Sequence, residues 1–401
     1  MPKSKIKVIR YLIAAAILWG GFRGPEALAQ QAKRPFTVAD EIGLTLFDAQ
    51  GMVGEPEIRF SPDGKYVATW TEHGRLDLNC VEDSLRFYRT QDIEGFLKDG
   101  GSKPPQPAWV VTLSAKHGRV IPEWRWLKDS SGVAILRFDF THISQQLVLA
   151  DLRKKTVEPL TPPGDAILTF DVRDRQHYVY VVADHSEWSK KEEARSQAGA
   201  FVGTGVDQWV LLFPDNPVVR NWADGTYIKR LWAVVDGKRF EVKHNGAPPV
   251  FREDSAYMSL SPDGRSLAVI APVEEVPLSW ETLYPPPAHL PAVLEGGVHA
   301  VHAGHGTAEQ YARIDLKSGS VQPLTGAPHI ASLGMGFGVG PSWSSDGQQV
   351  LLPDTFVKSQ QNAPGPPCIA IADLRSGGSR CAIAPKYGYT ENTDPDRKSV
   401  V

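Results

Sequence analysis

Cysteine is scarce: three residues in 401, at Cys80, Cys368 and Cys381. That is too few for disulfides to substitute for a hydrophobic core. Cys368 and Cys381 flank an expected hairpin and are spaced to pair in an oxidising compartment, whereas Cys80 has no evident partner. Three unpaired, partly buried thiols are the competing expectation. Beyond the first thirty residues no apolar run is long enough to cross a bilayer as a helix. A positive surplus is missing as well. Forty-three Lys and Arg stand against 46 Asp and Glu, a formal charge of −3, which argues against a nucleic-acid partner.

The first residues differ from the rest. Lys3, Lys5, Lys7 and Arg10 precede an apolar run from Tyr11 to Trp19, and Ala27-Leu28-Ala29 offers a small-x-small cleavage site. This is the layout of a secretory signal peptide over residues 1–29, with cleavage expected after Ala29 and an uncleaved anchor as the rival reading. Cleavage would remove five basic groups and one acidic group, lowering the formal charge from −3 to −7. The expected address is periplasmic or secreted, with no stable membrane insertion once the leader is gone.

What is abundant is one repeated stretch. Phe60-Ser61-Pro62-Asp63-Gly64-Lys65-Tyr66-Val67-Ala68-Thr69-Trp70 has the composition of strand, tight turn and strand. Pro62 presets φ for the first turn position, Asp63 can bond its own backbone, and Gly64 accepts a positive φ. Tyr66, Val67 and Trp70 suit a half-buried pleated surface. Leu260-Ser261-Pro262-Asp263-Gly264 with its following strand is nearly a copy, Trp343-Ser344-Ser345-Asp346-Gly347 follows the plan without the proline, and Trp126 to Leu136 is a weaker version. A second hairpin also recurs, turning just after Asp-Leu-Lys/Arg at Asp151, Asp315 and Asp373. Two hairpins in series make one four-stranded blade, and blades must stack to bury their faces.

The expected fold is therefore all-β, a β-propeller of four-stranded antiparallel blades. Five blades are identified, the third from Leu168–Val172, Tyr178–Val182, Ile228–Val235 and Arg239–Lys243; five to seven are expected, in a ring either incomplete or holding blades too divergent to see. The domain plan is a signal at 1–29, a lead-in at 30–57 with a short helix begun by Thr37 and Asp40, and a propeller at 58–385. A helical turn or two is expected around Asp92 to Lys98. Insertions at 184–226 and 272–307 are expected to be loops from one face of the ring, since prolines as dense as Pro285-Pro286-Pro287 forbid a central strand. Residues 386–401 read as an unstructured or artefactual tail.

The opening Phe36-Thr37-Val38-Ala39-Asp40-Glu41-Ile42, the Ser61-Pro62-Asp63-Gly64 blade soon after it and the secretory leader together resemble the N-terminal propeller of the prolyl oligopeptidase family of serine peptidases. The resemblance covers most of residues 35–385. It implies a propeller that gates peptide access to an α/β-hydrolase domain carrying a Ser-Asp-His triad, with the serine in a Gly-x-Ser-x-Gly elbow. That domain is missing from this chain, so the peptide substrate would be a partner only through the missing part, and a fragmentary gene is the expectation. Ser-Pro-Asp-Gly blades also occur in Tol-type periplasmic propellers that carry no enzyme, and a stand-alone propeller binding a protein or envelope component is the alternative.

No catalytic, cofactor or metal residue is assigned, and no cofactor is expected. The nearest decoy for an elbow is Gly340-Pro341-Ser342-Trp343-Ser344, whose fifth position is serine and which leads into a hairpin turn, so Ser342 is not taken as a nucleophile. His299, His302 and His305, near Glu295 and Glu309, have ligand chemistry but sit among glycines, and a polar loop is the favoured reading. Trp188, Trp209, Trp222, Trp232 and Trp280 either line a peptide surface or, the preferred reading, fill blade interfaces. Asp77, Glu82 and Asp83 near Arg75 and Arg86 read as a solvated face, with a charged rim for a peptide terminus as the sharper option.

Overall fold

The computed structural model describes residues 35–47, 58–100, 103–116, 118–139, 144–183, 229–252, 257–273, 275–280, 297–298, 308–329, 340–357 and 367–383. The expectations for the leader, the tail and most of both insertions lie outside them. The chain divides into two compact units, Met1–Leu44 and Thr45–Val401. In the first, the helix Val38–Ile42 opens with the expected capping box: Thr37 Oγ1 accepts from the Asp40 amide at 3.3 Å and the Thr37 amide donates to Asp40 Oδ2 at 2.9 Å.

Among its described residues the second unit contains five blades, antiparallel sheets in chain order that are each built as two hairpins in series, besides one two-stranded ladder. The first blade runs Ile58–Phe60, Tyr66–Arg75, Cys80–Arg89 and Trp109–Ala115, with the helix Thr90–Asp99 between its last two strands. The second is Glu123–Trp126, Gly132–Asp139, Ser144–Asp151 and Thr156–Pro159, and the third is Ile167–Asp174, His177–Ala183, Lys229–Val235 and Lys238–Glu241. The fourth is Ser259–Leu260, Ser266–Pro272, Glu309–Asp315 and Val321–Pro323, and the fifth is Ser342–Trp343, Gln349–Thr355, Cys368–Asp373 and Gly378–Ile383. Register is shared by four: Phe60, Trp126, Leu260 and Trp343 pair with Val67, Val133, Leu267 and Val350, each seven residues on, whereas in the third blade Val172 pairs with Tyr178, six on, beside a register shift.

Two local features depart from the expected plan. The lead-in contributes a strand, Thr45–Leu46, that pairs with His73 and Glu72 beside Ile58–Phe60 and so belongs to the first sheet. Within the second insertion, Glu275–Val276 pairs with Gly297–Val298 as a separate two-stranded ladder, outside any blade.

Each of four apolar clusters joins one pair of consecutive blades. Trp70, Leu85 and Phe87 of the first blade meet Trp126, Val133 and Ile135 of the second. Ala134, Leu136 and Leu149 of the second meet Phe170, Val172 and Tyr178 of the third. Val179, Val181 and Leu231 then meet Leu260, Leu267 and Ile314, and Ala268, Ile270 and Tyr311 meet Val350, Cys368 and Ala370. This face-to-face succession is the propeller plan. Among the described residues no cluster joins the fifth blade to the first, and no closed ring is formed.

Antiparallel order gives every blade two distinct edges. Both hairpin turns lie along one, the turn edge. The link between second and third strands, and the passage to the next blade, lie along the other, the connection edge. Both insertions replace links between second and third strands, after Ala183 in the third blade and after Pro272 in the fourth.

Candidate functional site

The recurrent motif proves to be a self-contained hydrogen-bonded turn. Ser61 Oγ donates to Asp63 Oδ1 at 2.7 Å and accepts from the Tyr66 amide at 2.9 Å, the Lys65 amide donates to the same carboxylate oxygen at 3.1 Å, and the Gly64 amide donates to the Ser61 carbonyl at 2.8 Å. The same bonds form at Ser261, Asp263, Gly264 and Ser266, and again at Ser344, Asp346, Gly347 and Gln349. The Ser61 hydroxyl holds the Asp63 carboxyl down at about 2. Gly64, Gly264 and Gly347 take φ of 70°, 71° and 68°, the left-handed region where a side chain is strained. In the outer hairpin the aspartate does similar work: Asp373 Oδ1 accepts from the Arg375 and Ser376 amides at 2.9 and 3.0 Å, as Asp151 Oδ1 does from Arg153 and Lys154 at the same distances. These turns are structural.

Innermost strands are cross-linked from blade to blade. Trp126 Nε1 donates to the Arg59 carbonyl at 3.1 Å, and Trp343, at the equivalent place, donates to the Ser259 carbonyl at 2.8 Å. The residue before that tryptophan position also reaches across. Arg59 donates to the Trp124 carbonyl at 2.6 Å with its guanidinium 4.5 Å over the indole; Arg125 donates to Asp171 Oδ1 at 3.0 Å; and Asp171 Oδ2 accepts from the Leu260 amide at 2.6 Å. Ser342 occupies this same position, paired with Leu351 and followed by a hairpin turn, so its neighbourhood is a sheet and not a strand-to-helix elbow.

At the connection edge the charges separate into exposed and buried sets. Arg75 bonds Asp77 and Glu82, each at 2.7 Å, so its charge is already compensated by the rim. Asp83 does not join that rim. It is fully buried, facing the second blade, where its Oδ2 accepts from the amides of Val120 and Ile121 at 2.5 and 2.6 Å. Burial raises its carboxyl to about 6, against the pull of those two amides. Glu72, directly opposite in register, bonds Arg119 at 3.2 Å, and Arg119 lies 4.6 Å over the Trp70 ring. Asp83 is thus a clamp on the passage between blades.

The connection edge of the third and fourth blades is the candidate site, because both insertions leave there from adjacent sheets. The described groups beside it are Arg252 and Glu309, paired at 3.1 and 3.2 Å, and His329, whose ring makes edge contacts with Tyr257 and Tyr311 at centroid distances of 5.7 and 5.0 Å. His329 is wholly buried, and burial, with the nearby Arg252, lowers its imidazole to about 3. It stays neutral at any physiological pH.

Other residues singled out from the sequence fall as follows. Glu309 serves Arg252, while Glu295, His299, His302 and His305 lie outside the described residues; among those described, no group of three metal-ligating side chains assembles. Trp280 is buried, donating to the Gly326 carbonyl at 2.9 Å, and Trp232 lies under Arg239 at 3.8 Å; both pack. Trp188, Trp209 and Trp222 lie outside the described residues. Cys80, Cys368 and Cys381 are free thiols, Cys368 pushed up to about 12 by burial and its contact with Cys381. No described helix is long and apolar enough to cross a membrane. The clamps of Asp83, Arg125 and Asp171 escaped the sequence reading, which had no signal for partners that far along the chain.

No family model matches the sequence, and no curated protein matches it significantly. Solved structures similar in chain course include TolB from Acinetobacter baumannii, 13% identical over 80% of this chain and 52% of that one, TM-score 0.36. They also include an acylaminoacyl peptidase from Pyrococcus horikoshii, 14% identical over 79% of this chain and 37% of that one, TM-score 0.39. A third is the β-propeller domain of the Trilobed protease from Pyrococcus furiosus, 14% identical over 82% and 70%, TM-score 0.38. This chain therefore spans about half of the TolB chain and little more than a third of the peptidase chain.

Proposed function

We propose that the chain is the substrate-gating propeller of an exported serine peptidase of the prolyl oligopeptidase type. The observation that carries the reading is the departure of both long insertions from one edge of two adjacent blades, the arrangement of a rigid scaffold presenting loops over an entrance. The resemblance of residues 35–385 supplies the peptidase class. In this reading the blades exclude folded substrates and admit short or flexible peptides. Cleavage by acyl transfer belongs to a hydrolase domain elsewhere, through serine, histidine and an oxyanion hole.

The chain alone is expected to be inert. Fluorogenic peptides incubated with it should show no turnover above buffer, and turnover abolished by a serine-directed inhibitor would overturn the assignment of catalysis to another domain. The reading frame after codon 401 is the second test: a Gly-x-Ser-x-Gly between a strand and a helix supports the peptidase. An intact gene without one favours a non-catalytic binding propeller of the Tol type. Export is tested by sequencing the N-terminus of the periplasmic protein, which should begin at Gln30.

A further inference from the structure

The fifth blade carries two of the chain's three thiols on one face. Ala370 pairs with Cys381 across the last two strands, and Cys368, two residues before Ala370, lies on the same side of the sheet. Between Ile369 and Ala370 the pairing slips by one residue: Ile369 faces Ile383, so Ala382 is the extra residue of a bulge, a feature that sharpens local twist. The Cys368 and Cys381 thiols touch there. Cys368 is 3% exposed, and Cys381, half-buried, packs against the same apolar cluster that joins this blade to the fourth. Cys368 opens the third strand at the connection edge and pairs with Thr355, which is bridged to the buried His329. The thiol contact therefore carries the closure of that junction one strand further, to the outer strand Gly378–Ile383. It is no metal centre, since among the described residues no third ligand joins the pair.

We propose that Cys368 and Cys381 are a redox pair that fastens the outer strand of the fifth blade: free thiols in this structure, and a disulfide once the chain meets a disulfide donor. Thiols in contact on neighbouring strands are joined with no change of strand pairing. The more exposed sulfur, Cys381, attacks the donor disulfide as a thiolate; a bond forms between donor and Cys381, the donor's own bond breaks, and its first thiolate leaves. Cys368 then gives up its proton to water and attacks the Cys381 sulfur, closing the internal bond and releasing the second donor thiolate. Two protons and two electrons leave the protein, and the donor, taking both, departs as two thiols. Burial and the neighbouring Cys381 hold the Cys368 thiol up, so the second step is the slow one, and the mixed disulfide speeds it by removing the Cys381 charge. The inference needs no hydrolase domain and is independent of the peptidase reading; export decides only whether the closed form persists.

The test uses the purified full chain carrying Cys80→Ser, equilibrated in glutathione buffers from reducing to oxidising. Intact mass should fall by two hydrogens in a single step with no glutathione adduct retained, and a digest should yield one peptide pair linked through Cys368 and Cys381. Closing so short a loop should slow amide hydrogen exchange across Gly378–Ile383 by about 10- to 100-fold. Val321 and Gln322, in the matching strand of the fourth blade, should exchange as before. Cys381→Ser, which leaves the buried Cys368 in place, should lose both the cross-link and the slowing. Two thiols still free in the most oxidising buffer, a glutathione adduct that never resolves, a cross-link that needs urea to form, or exchange that is the same with and without the bond would each overturn the proposal.

Discussion

The junction between the third and fourth blades is closed at its turn edge, whereas that between the fourth and fifth is closed at its connection edge. At the former, a Cβ on Gly264 would lie 2.6 Å from the His177 side chain, and one on Gly319 would lie 2.2 Å from the Lys243 carbonyl oxygen. His177 Nε2 meets Asp236 at 3.1 Å, and Arg265 meets the other oxygen of that carboxylate at 3.0 Å. At the latter, the equivalent Gly347 has nothing nearer than Pro262 at 3.5 Å, and Gly377 has nothing within 4 Å. There the closure comes from buried His329, bridged to Thr355. Identical local turns are thus pressed together in one place and left open in another. Hairpin geometry is a property of a few adjacent residues, while the closeness of blades depends on what the neighbouring sheet brings.

The sharpest test exchanges the same atom at equivalent glycines. Gly319 and Gly377 have φ of 69° and 70°, so alanine pays the same left-handed strain at both, about 1 kcal/mol. Only at Gly319 does the methyl meet backbone, which cannot swing aside. Gly319→Ala should cost about 3–4 kcal/mol and Gly377→Ala about 1 kcal/mol in urea unfolding. Equal costs would mean that the third and fourth blades separate freely at this edge.

The connection-edge closure has a pH signature. Between His329's ordinary 6.5 and its value of about 3 in the fold, the unfolded chain takes up a proton that the native chain refuses, so stability falls as pH falls through that window. The loss is at most about 1.4 kcal/mol per unit, or about 2 kcal/mol between pH 6.5 and 5. Asp83 acts in the opposite sense: its carboxyl, raised from 3.8 to about 6, binds a proton more readily in the fold, so its contribution to stability grows as pH falls from 6 towards 3.8. His329→Phe keeps a ring between Tyr257 and Tyr311 and should leave the Asp83 trend exposed, with the variant more acid-resistant than the wild type. Unfolding midpoints at pH 7, 6 and 5 read this directly, and parallel curves for the two proteins would remove His329 from the account.

Gly264 lies nearer the crowded extreme, because the closest atom of its obstacle is the His177 Cβ at 2.6 Å, with Cγ and Cδ2 at 2.7 Å, and turning that side chain leaves Cβ in place. The main chain has to shift, so Gly264→Ala should lose about 2–3 kcal/mol against about 1 kcal/mol for Gly347→Ala. A cost at Gly264 no greater than at Gly347 would show that the third and fourth blades give way at this turn.

The division between local and distant chemistry also explains what could be seen from residues alone. The Ser-x-Asp-Gly turns, the Thr37 capping box, the helix before Asp99 and the outer hairpin across Asp236-Gly237 were legible because each is completed within about five residues of its own signal. Asp83 looked like one more member of a polar stretch, since nothing nearby reveals that the Val120 and Ile121 amides, 37 and 38 residues on, will bury it. The Arg125–Asp171 pair spans 46 residues and was equally silent. Thr45–Leu46 is too short to show alternation, so the lead-in's share in the first sheet had no sequence signal.

If hairpin geometry is local, then removing a purely local bond should cost the same wherever the turn sits. Ser61 and Ser261 each accept a backbone amide at 2.9 Å and donate to their aspartate at 2.7 and 2.6 Å, yet the first turn touches its neighbour only lightly, Asp63 donating its amide to Ser130 Oγ of the second blade at 3.0 Å with open space around Gly64, while the other is pressed against the third. Ser61→Ala and Ser261→Ala should therefore each lose about 1 kcal/mol. A difference larger than about 0.5 kcal/mol between them would mean that the packed junction tightens the turn itself, and the separation of local from distant terms would have to be given up for the fourth blade.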